Sequence, residues 1–296
     1  MWLVYAILTF LFWGIADLFY KKSNNNKDQY SHLKTGIIVG IVMGIHATFY
    51  LILNNCNISI IELIKYLPVS LCYILSMIIG YKGLKYIELS ISSPIQNSSG
   101  IITSILLCII FKIDLSLLEK IGILIVFVGI LFLSITEFKK DGINKKDLIK
   151  NLKIQIIFFP IIYCIIDGLG TFLDSIYLDQ LKIVSENTAL LAYEYTFLIY
   201  GIVLYLYLKF IKKENIHILK ETNKIKAAVF ETLGQFTYVF AIISHSVITI
   251  PIVSCYSALS VLLSRIFLKE KLNIFYYIGI IIIFIGIIIL SISEAL

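Results

Sequence analysis

Charge is scarce in this sequence: Lys, Arg, Asp and Glu make up 15% of its 296 residues, against roughly 25% in an ordinary soluble domain. A water-soluble chain of this size would lack the polar surface to cover its own core. Arginine occurs once, at Arg265, so the net charge of +6 is carried almost wholly by lysine. The lysines stand in short clusters between apolar runs, which suits orientation in a membrane and gives no continuous basic surface for nucleic acid.

Catalytic and cofactor signatures are missing too. There is no Gly-x-x-x-x-Gly-Lys-Ser/Thr loop, no His-Glu-x-x-His and no Gly-x-Ser-x-Gly elbow, which removes the phosphate cradle, the zinc helix and the nucleophile turn that such chemistries need. The five cysteines, Cys56, Cys72, Cys108, Cys164 and Cys255, include no Cys-x-x-Cys pair, so they are expected to be small packing residues and not zinc ligands or a disulfide framework. No cofactor and no metal are expected, and energy for any transport would come from a gradient.

What is abundant is apolar sequence. Hydrophobic residues are 59% of the chain and the mean hydropathy is +0.93. Continuous apolar runs of about 20 residues, the length a helix needs to cross a bilayer core, occur ten times, over 2–20, 33–54, 66–84, 90–111, 117–136, 153–175, 187–209, 226–244, 247–268 and 273–293. Their apolar residues do not alternate, which favours helices over barrel strands. The first run lacks a basic leader and a small-residue cleavage site and ends in Lys21-Lys22, so it is expected to be a retained span and not a signal peptide. The connections after spans 1, 3, 5, 7 and 9 hold 21 of the 25 basic residues, which predicts termini outside and the 137–152 linker in the cytoplasm of a cell-membrane protein.

An internal repeat decides the architecture. A shift of 157 positions lays Pro94 to Glu137 over Pro251 to Glu294 without a gap, matching Pro94 with Pro251, Lys112 with Lys269, Gly122 with Gly279, Phe127 with Phe284, Gly129 with Gly286 and Glu137 with Glu294. The predicted organisation is a five-span repeat over 1–137, a basic linker over 138–152 and a second five-span repeat over 153–296. Five is odd, so the second copy enters the membrane upside down. Such inverted repeats build secondary transporters whose substrate site lies near the midplane where the halves meet. The four repeat glycines, seven residues apart on each helix, are assigned to close helix contact.

With these features the sequence resembles the EamA branch of the drug/metabolite transporter superfamily. The likeness rests on ten spans as five plus five, the Trp13-Gly14 pair, the prolines that open spans 4 and 9, and Leu268-Lys269-Glu270-Lys271-Leu272 ahead of Gly279 and Gly286. It departs in two ways: the first half has Ile113-Asp114-Leu115 at the equivalent turn, and many relatives have cytoplasmic termini where the lysines here argue the reverse. The stretch from Ser93 to Gly100 also resembles sugar-uptake relatives. The resemblance implies an all-α polytopic membrane transporter, not an enzyme, working on a small-molecule substrate within a lipid bilayer, as a monomer or homodimer.

Ionisable groups at membrane depth cost several kcal/mol, on the order of 2.5–3.5 by insertion scales, unless paired or hydrated, so each is a functional candidate by default. Asp167, Thr171 and Asp174 share one face of span 6, and Glu231, Gln235 and Tyr238 share one face of span 8, by helical periodicity. Asp167, Glu194 and Glu231 are expected to face one aqueous cavity, the structural alternative being carboxyls satisfied internally. Asp17, one turn after Trp13, is either part of that site or a surface residue near Lys21, and Asp174 is expected at the interface. His46 and His245 are expected to be hydrogen-bonded packing residues. Gln96 and Asn97 on span 4 and Tyr256 on span 9 offer uncharged polar groups, and Trp13 and Tyr163 offer π-faces to a cation.

The predicted substrate-binding set is therefore Trp13, Asp17, Gln96, Asn97, Tyr163, Asp167, Glu194, Glu231, Gln235 and Tyr256. A carboxyl out of water holds its proton more tightly, so this acid-rich interior permits proton or cation coupling. The expected function is alternating-access transport of a small polar or cationic metabolite. The alternatives are a sugar uptake permease and an intramembrane enzyme acting on a lipid-linked substrate.

Overall fold

A computed structural model describes residues 1–24, 28–56, 58–140, 153–214 and 216–295. Among them there are helices and no strands. Spans 1, 2 and 3 are α1 (Trp2–Ser23), α2 (Ser31–Leu53) and α3 (Ile60–Gly83). Span 4 is α4 (Leu89–Asn97) followed by α5 (Ser99–Phe111), and span 5 is α6 (Leu117–Lys140). Spans 6 and 7 are α7 (Lys153–Ser175) and α8 (Glu186–Leu206), each prolonged by a π-helical turn. Next come α9 (Thr222–Ser254), α10 (Tyr256–Leu263) and, as span 10, α11 (Ile274–Ala295).

Nine of the described helices are long and apolar enough to cross a membrane, and one of these runs for 47 residues from Thr222 to Leu268. At about 1.5 Å per residue it would be more than twice the thickness of a bilayer core. It is two spans. The helix breaks at His245, whose φ of −152° and ψ of 66° are non-helical, and across the break Thr249 Oγ1 donates to the carbonyl of Ala241 at 3.2 Å. Spans 8 and 9 therefore meet where the apolar runs at 226–244 and 247–268 adjoin.

The second half is inverted relative to the first, and packing of spans 5 and 10 displays the relation directly. A Cβ added to Gly129 would stand 2.6 Å from Ile283, and one added to Gly286 would stand 2.6 Å from Val126. Gly122 meets Leu290 as Gly279 meets Leu133. Each contact is exchanged for its partner by the shift of 157, and the residue numbers run in opposite directions, so a two-fold axis across the helices relates the copies. The backbone obeys it as well. Lys112 and Lys269, equivalent by that shift, end spans 4 and 9 in the left-handed conformation at φ 51° and 58°, and the helix junctions at Ser98 and Cys255 are equivalent too.

Large apolar side chains such as Ile64, Ile109, Ile165, Ile199 and Ile288 point outward, as a lipid-facing surface requires. Hydroxyls inside return to their own helices: Thr9 to the carbonyl of Tyr5 at 2.8 Å and Thr196 to that of Ala192 at 2.6 Å. Such bonds satisfy these hydroxyls without water.

Basic residues gather at one end of the bundle. Lys21 Nζ donates to the carbonyls of Leu84, at 2.7 Å, and Ile87. Lys34 lies 2.9 Å from Asp28 and 3.6 Å from Glu214, and Lys22 sits 4.9 Å from the Phe267 ring centroid. These contacts bring the ends of spans 1, 3, 7 and 9 and the start of span 2 to one face. At the opposite face Asp179, after span 6, accepts the backbone N–H of Ser246 at 2.9 Å.

Candidate functional site

The packing of opposite halves leaves a cavity between them, reached by side chains of spans 1, 3, 4, 6, 7, 8 and 9. It is narrow: about 70 Å³ is open to the centres of water molecules, room for a few waters. Three carboxylic acids line it, Asp17, Asp167 and Glu231, together with eight aromatic rings and no Lys, Arg or His.

Each acid is positioned by a different span. Asp17 Oδ2 accepts from Ser93 Oγ at 2.7 Å and Ser260 Oγ at 2.8 Å, tying span 1 to spans 4 and 9. Asp167 accepts from Ser99 Oγ at 3.0 Å and from Ser76 Oγ at 3.5 Å. Glu231 is buried beside Tyr20. Three of these four hydroxyls, Ser93, Ser99 and Ser260, come from the repeat-related spans 4 and 9, and Ser76 comes from span 3. Around Ser98 and Cys255, where the backbone stays helical, Gln96, Asn97, Ser99, Ser254 and Tyr256 turn polar groups to the cavity.

The rings form the remaining wall. Trp13 lies 5.1 Å from Tyr238 and 5.7 Å from Tyr256, centroid to centroid. Its approach to span 8 is possible because Gly234 has no side chain: a Cβ there would overlap the indole. Gly80 plays the same part for Tyr163, whose ring would stand 2.8 Å from an added Cβ. Buried donors in the wall have no partner within the protein. They are Trp13 Nε1, Gln96 Nε2 and Gln235 Nε2. Asn97 Nδ2 instead donates back to the Ser93 carbonyl at 2.9 Å.

The EamA-like transporter family model matches residues 1–135 and again residues 154–292. The chain belongs to the EamA-like transporter family. It is therefore a multi-pass membrane transporter of the drug/metabolite superfamily, which implies a small-molecule substrate and a surrounding bilayer. One solved crystal structure superposes with a TM-score of 0.69 at 11% identity, covering 98% of this chain and 96% of the other; at that identity the likeness concerns the fold. No curated protein matches the sequence.

Of the ten residues in the substrate-binding set predicted for this EamA-like sequence, nine line the cavity: Trp13, Asp17, Gln96, Asn97, Tyr163, Asp167, Glu231, Gln235 and Tyr256. Glu194 does not. Its carboxylate is fully buried against His46 Nδ1 at 2.8 Å, between spans 7 and 2, while its neighbour Tyr193 turns to the cavity. Adjacent residues on a helix point about 100° apart, which is why Tyr193 and Glu194 part company. His46, without an acid beside it in sequence, acquires one from the other half.

Two further acids find their surroundings in the tertiary structure. Asp174 is fully buried within the protein, where Tyr66 and Tyr73 of span 3 donate to it, Tyr73 at 3.4 Å. Asp17 belongs to the cavity and not to the surface near Lys21. The reading from sequence missed Tyr20, Tyr73 and Tyr81 as wall residues. With 19 tyrosines in the chain, no local signal marks those three. Gly80 and Gly234 carried one, since an isolated helix glycine marks a close approach.

Proposed function

We propose that this transporter moves a small organic cation or a zwitterion with a cationic group through the central cavity, by alternating access of its two inverted halves, in exchange for protons. The observation that carries this reading is the wall itself: three acids and eight rings without one basic side chain. Carboxylates attract an ammonium group by charge and rings by their π-faces, and both gain strength where water is excluded. Unpartnered N–H donors in the same wall suit an acceptor elsewhere on the substrate.

Coupling follows from the same groups. Several carboxyls in one desolvated space repel one another when ionised, so an arriving cation and a proton compete for them. The narrow cavity requires the halves to part before a metabolite enters. The basic face is assigned to the cytoplasm, and the protein to the cell membrane, by the lysine distribution.

The test is counterflow into proteoliposomes loaded in turn with small amines, amino acids and sugars, followed by uptake under an imposed proton gradient. Amines or amino acids should exchange, and the gradient should drive their accumulation. Exchange of sugars alone would overturn the cation reading, and accumulation indifferent to the gradient would overturn coupling.

A further inference from the structure

The basic face carries two grooves of different electrostatic character. One has Lys22, Lys220 and Lys224 in its wall together with Asp28 and Glu221, and Lys224 Nζ lies 2.6 Å from the Glu221 carboxylate. Its cations are largely matched. The other lies between the ends of spans 2, 3 and 7, where Lys82, Lys85, Lys212 and His32 meet Tyr86 and Tyr207, and no carboxylate lines it.

Lys85 is the centre of the unmatched groove. Only 7% of it is exposed, and its ammonium donates to the carbonyls of Asp28 at 2.8 Å and Gln29 at 3.0 Å. An ammonium has three donors, so one is left over, and no carboxylate is paired with it among the described residues. Burial pulls its pKa below the ordinary lysine range, and nearby Lys82 adds to that against the opposing pull of Asp28. In the same wall His32 Nδ1 is buried without a hydrogen-bond partner.

The remaining cations are held by rings. Lys82 Nζ stands 5.5 Å from the Phe159 centroid, against which Tyr86 stacks at 6.2 Å, and Lys212 Nζ stands 5.6 Å from the Tyr207 centroid. Tyrosines and lysines at span ends mark headgroup level in a bilayer. Phe210 and Ile211, next to Lys212, are exposed and offer apolar surface to acyl chains.

We propose that this groove binds the phosphate headgroup of an anionic phospholipid, received by Lys82, Lys85, Lys212 and His32, with the chains lying along the end of span 7. A phosphate diester supplies acceptors for the spare Lys85 donor and the orphan His32 nitrogen, and its charge offsets a basic cluster whose groove wall holds no carboxylate. The inference rests on the groove alone and stands apart from the transport reading.

The experiment uses the purified full-length protein in a neutral detergent, with thermal unfolding and native mass spectrometry as readouts. Dioleoylphosphatidylglycerol should raise the Tm by several degrees and be retained as a bound molecule. Dioleoylphosphatidylcholine, with the same chains, and inorganic phosphate should do neither. Replacing the exposed lysines together, Lys82→Ala with Lys212→Ala, should remove most of the shift, whereas Lys82→Arg with Lys212→Arg and the control pair Lys220→Ala with Lys226→Ala should keep it. Equal effects of the two lipids, or a full shift in the alanine pair, would overturn the site. A shift reproduced by inorganic phosphate would overturn the lipid in favour of a soluble anion.

Discussion

Glu194 and His46 stand on spans 7 and 2, one from each repeat, and their side chains meet at 2.8 Å with the carboxylate fully buried and the imidazole 28% exposed. The pair clasps the two halves together outside the cavity. It also removes Glu194 from the set of groups that a substrate meets, and gives that place to Asp17.

Removing one member of this clasp should cost more than removing both. His46→Phe leaves a carboxyl without a partner at zero exposure, an unsatisfied group that costs about 1–3 kcal/mol, while the double variant with Glu194→Leu replaces both by apolar groups. A double-mutant cycle on unfolding in detergent should therefore show a coupling of about 0.5–3 kcal/mol. Strictly additive effects would remove the clasp.

Neutral substitutions should separate the cavity acids from Glu194. Asp17→Asn, Asp167→Asn and Glu231→Gln are each expected to reduce gradient-driven accumulation at least about tenfold, because one proton-exchanging group is then fixed in its neutral form. Glu194→Gln should leave accumulation within about twofold of wild type, since it keeps a polar group beside His46 and touches no wall residue. Uptake assays in proteoliposomes decide between these outcomes.

The reciprocal glycines give a test of the two-fold relation. Gly129→Val and Gly286→Val each force a side chain into Ile283 or Val126 and the backbone beside it, where an added Cβ already stands 2.6 Å from the neighbour. Overpacking of this kind costs about 1–3 kcal/mol. Thermal unfolding should show similar losses for the two variants, and a large loss in only one would mean that the contacts are not equivalent.

Asp28, in the connection between spans 1 and 2, gives a pH signature at the basic face. Partial burial works to raise its pKa, but the hydrogen bond from Lys34 and the backbone N–H of Tyr30 outweigh it and hold the carboxyl below its ordinary value of 3.8. The folded value is the depressed one, so the stabilisation is fully present above the ordinary value and is lost as pH falls through the folded one. Asp28→Asn should lower stability at neutral pH, and the difference from wild type should shrink as the solution becomes more acidic. Unfolding curves recorded from pH 7 downward measure it.

Orientation is open to a native probe. Cys56 lies in the connection after span 2, at the face opposite the lysines, while Lys213 is exposed on the basic face. In intact cells an impermeant maleimide should react with Cys56 and not with Lys213→Cys in a Cys56→Ser background. The reverse pattern would turn the protein over.

The spans, their repeat and the gathering of basic residues were legible because each is a property of the chain taken in order. Hydropathy over about 20 residues, equivalent prolines, glycines and lysines 157 positions apart, and the side on which charges fall need no knowledge of neighbours. Periodicity also placed Asp167 with Thr171, and Glu231 with Gln235, on common helix faces. What it left open was the direction each face takes about its helix axis, which depends on which helices pack against it. Tertiary structure turned Asp17 inward to Ser93 and Ser260, set Asp174 under Tyr66 and Tyr73, and aimed Glu194 at His46. Those partners lie 76 to 243 residues away in the chain, and in a medium that offers no water a buried carboxyl goes where such partners are.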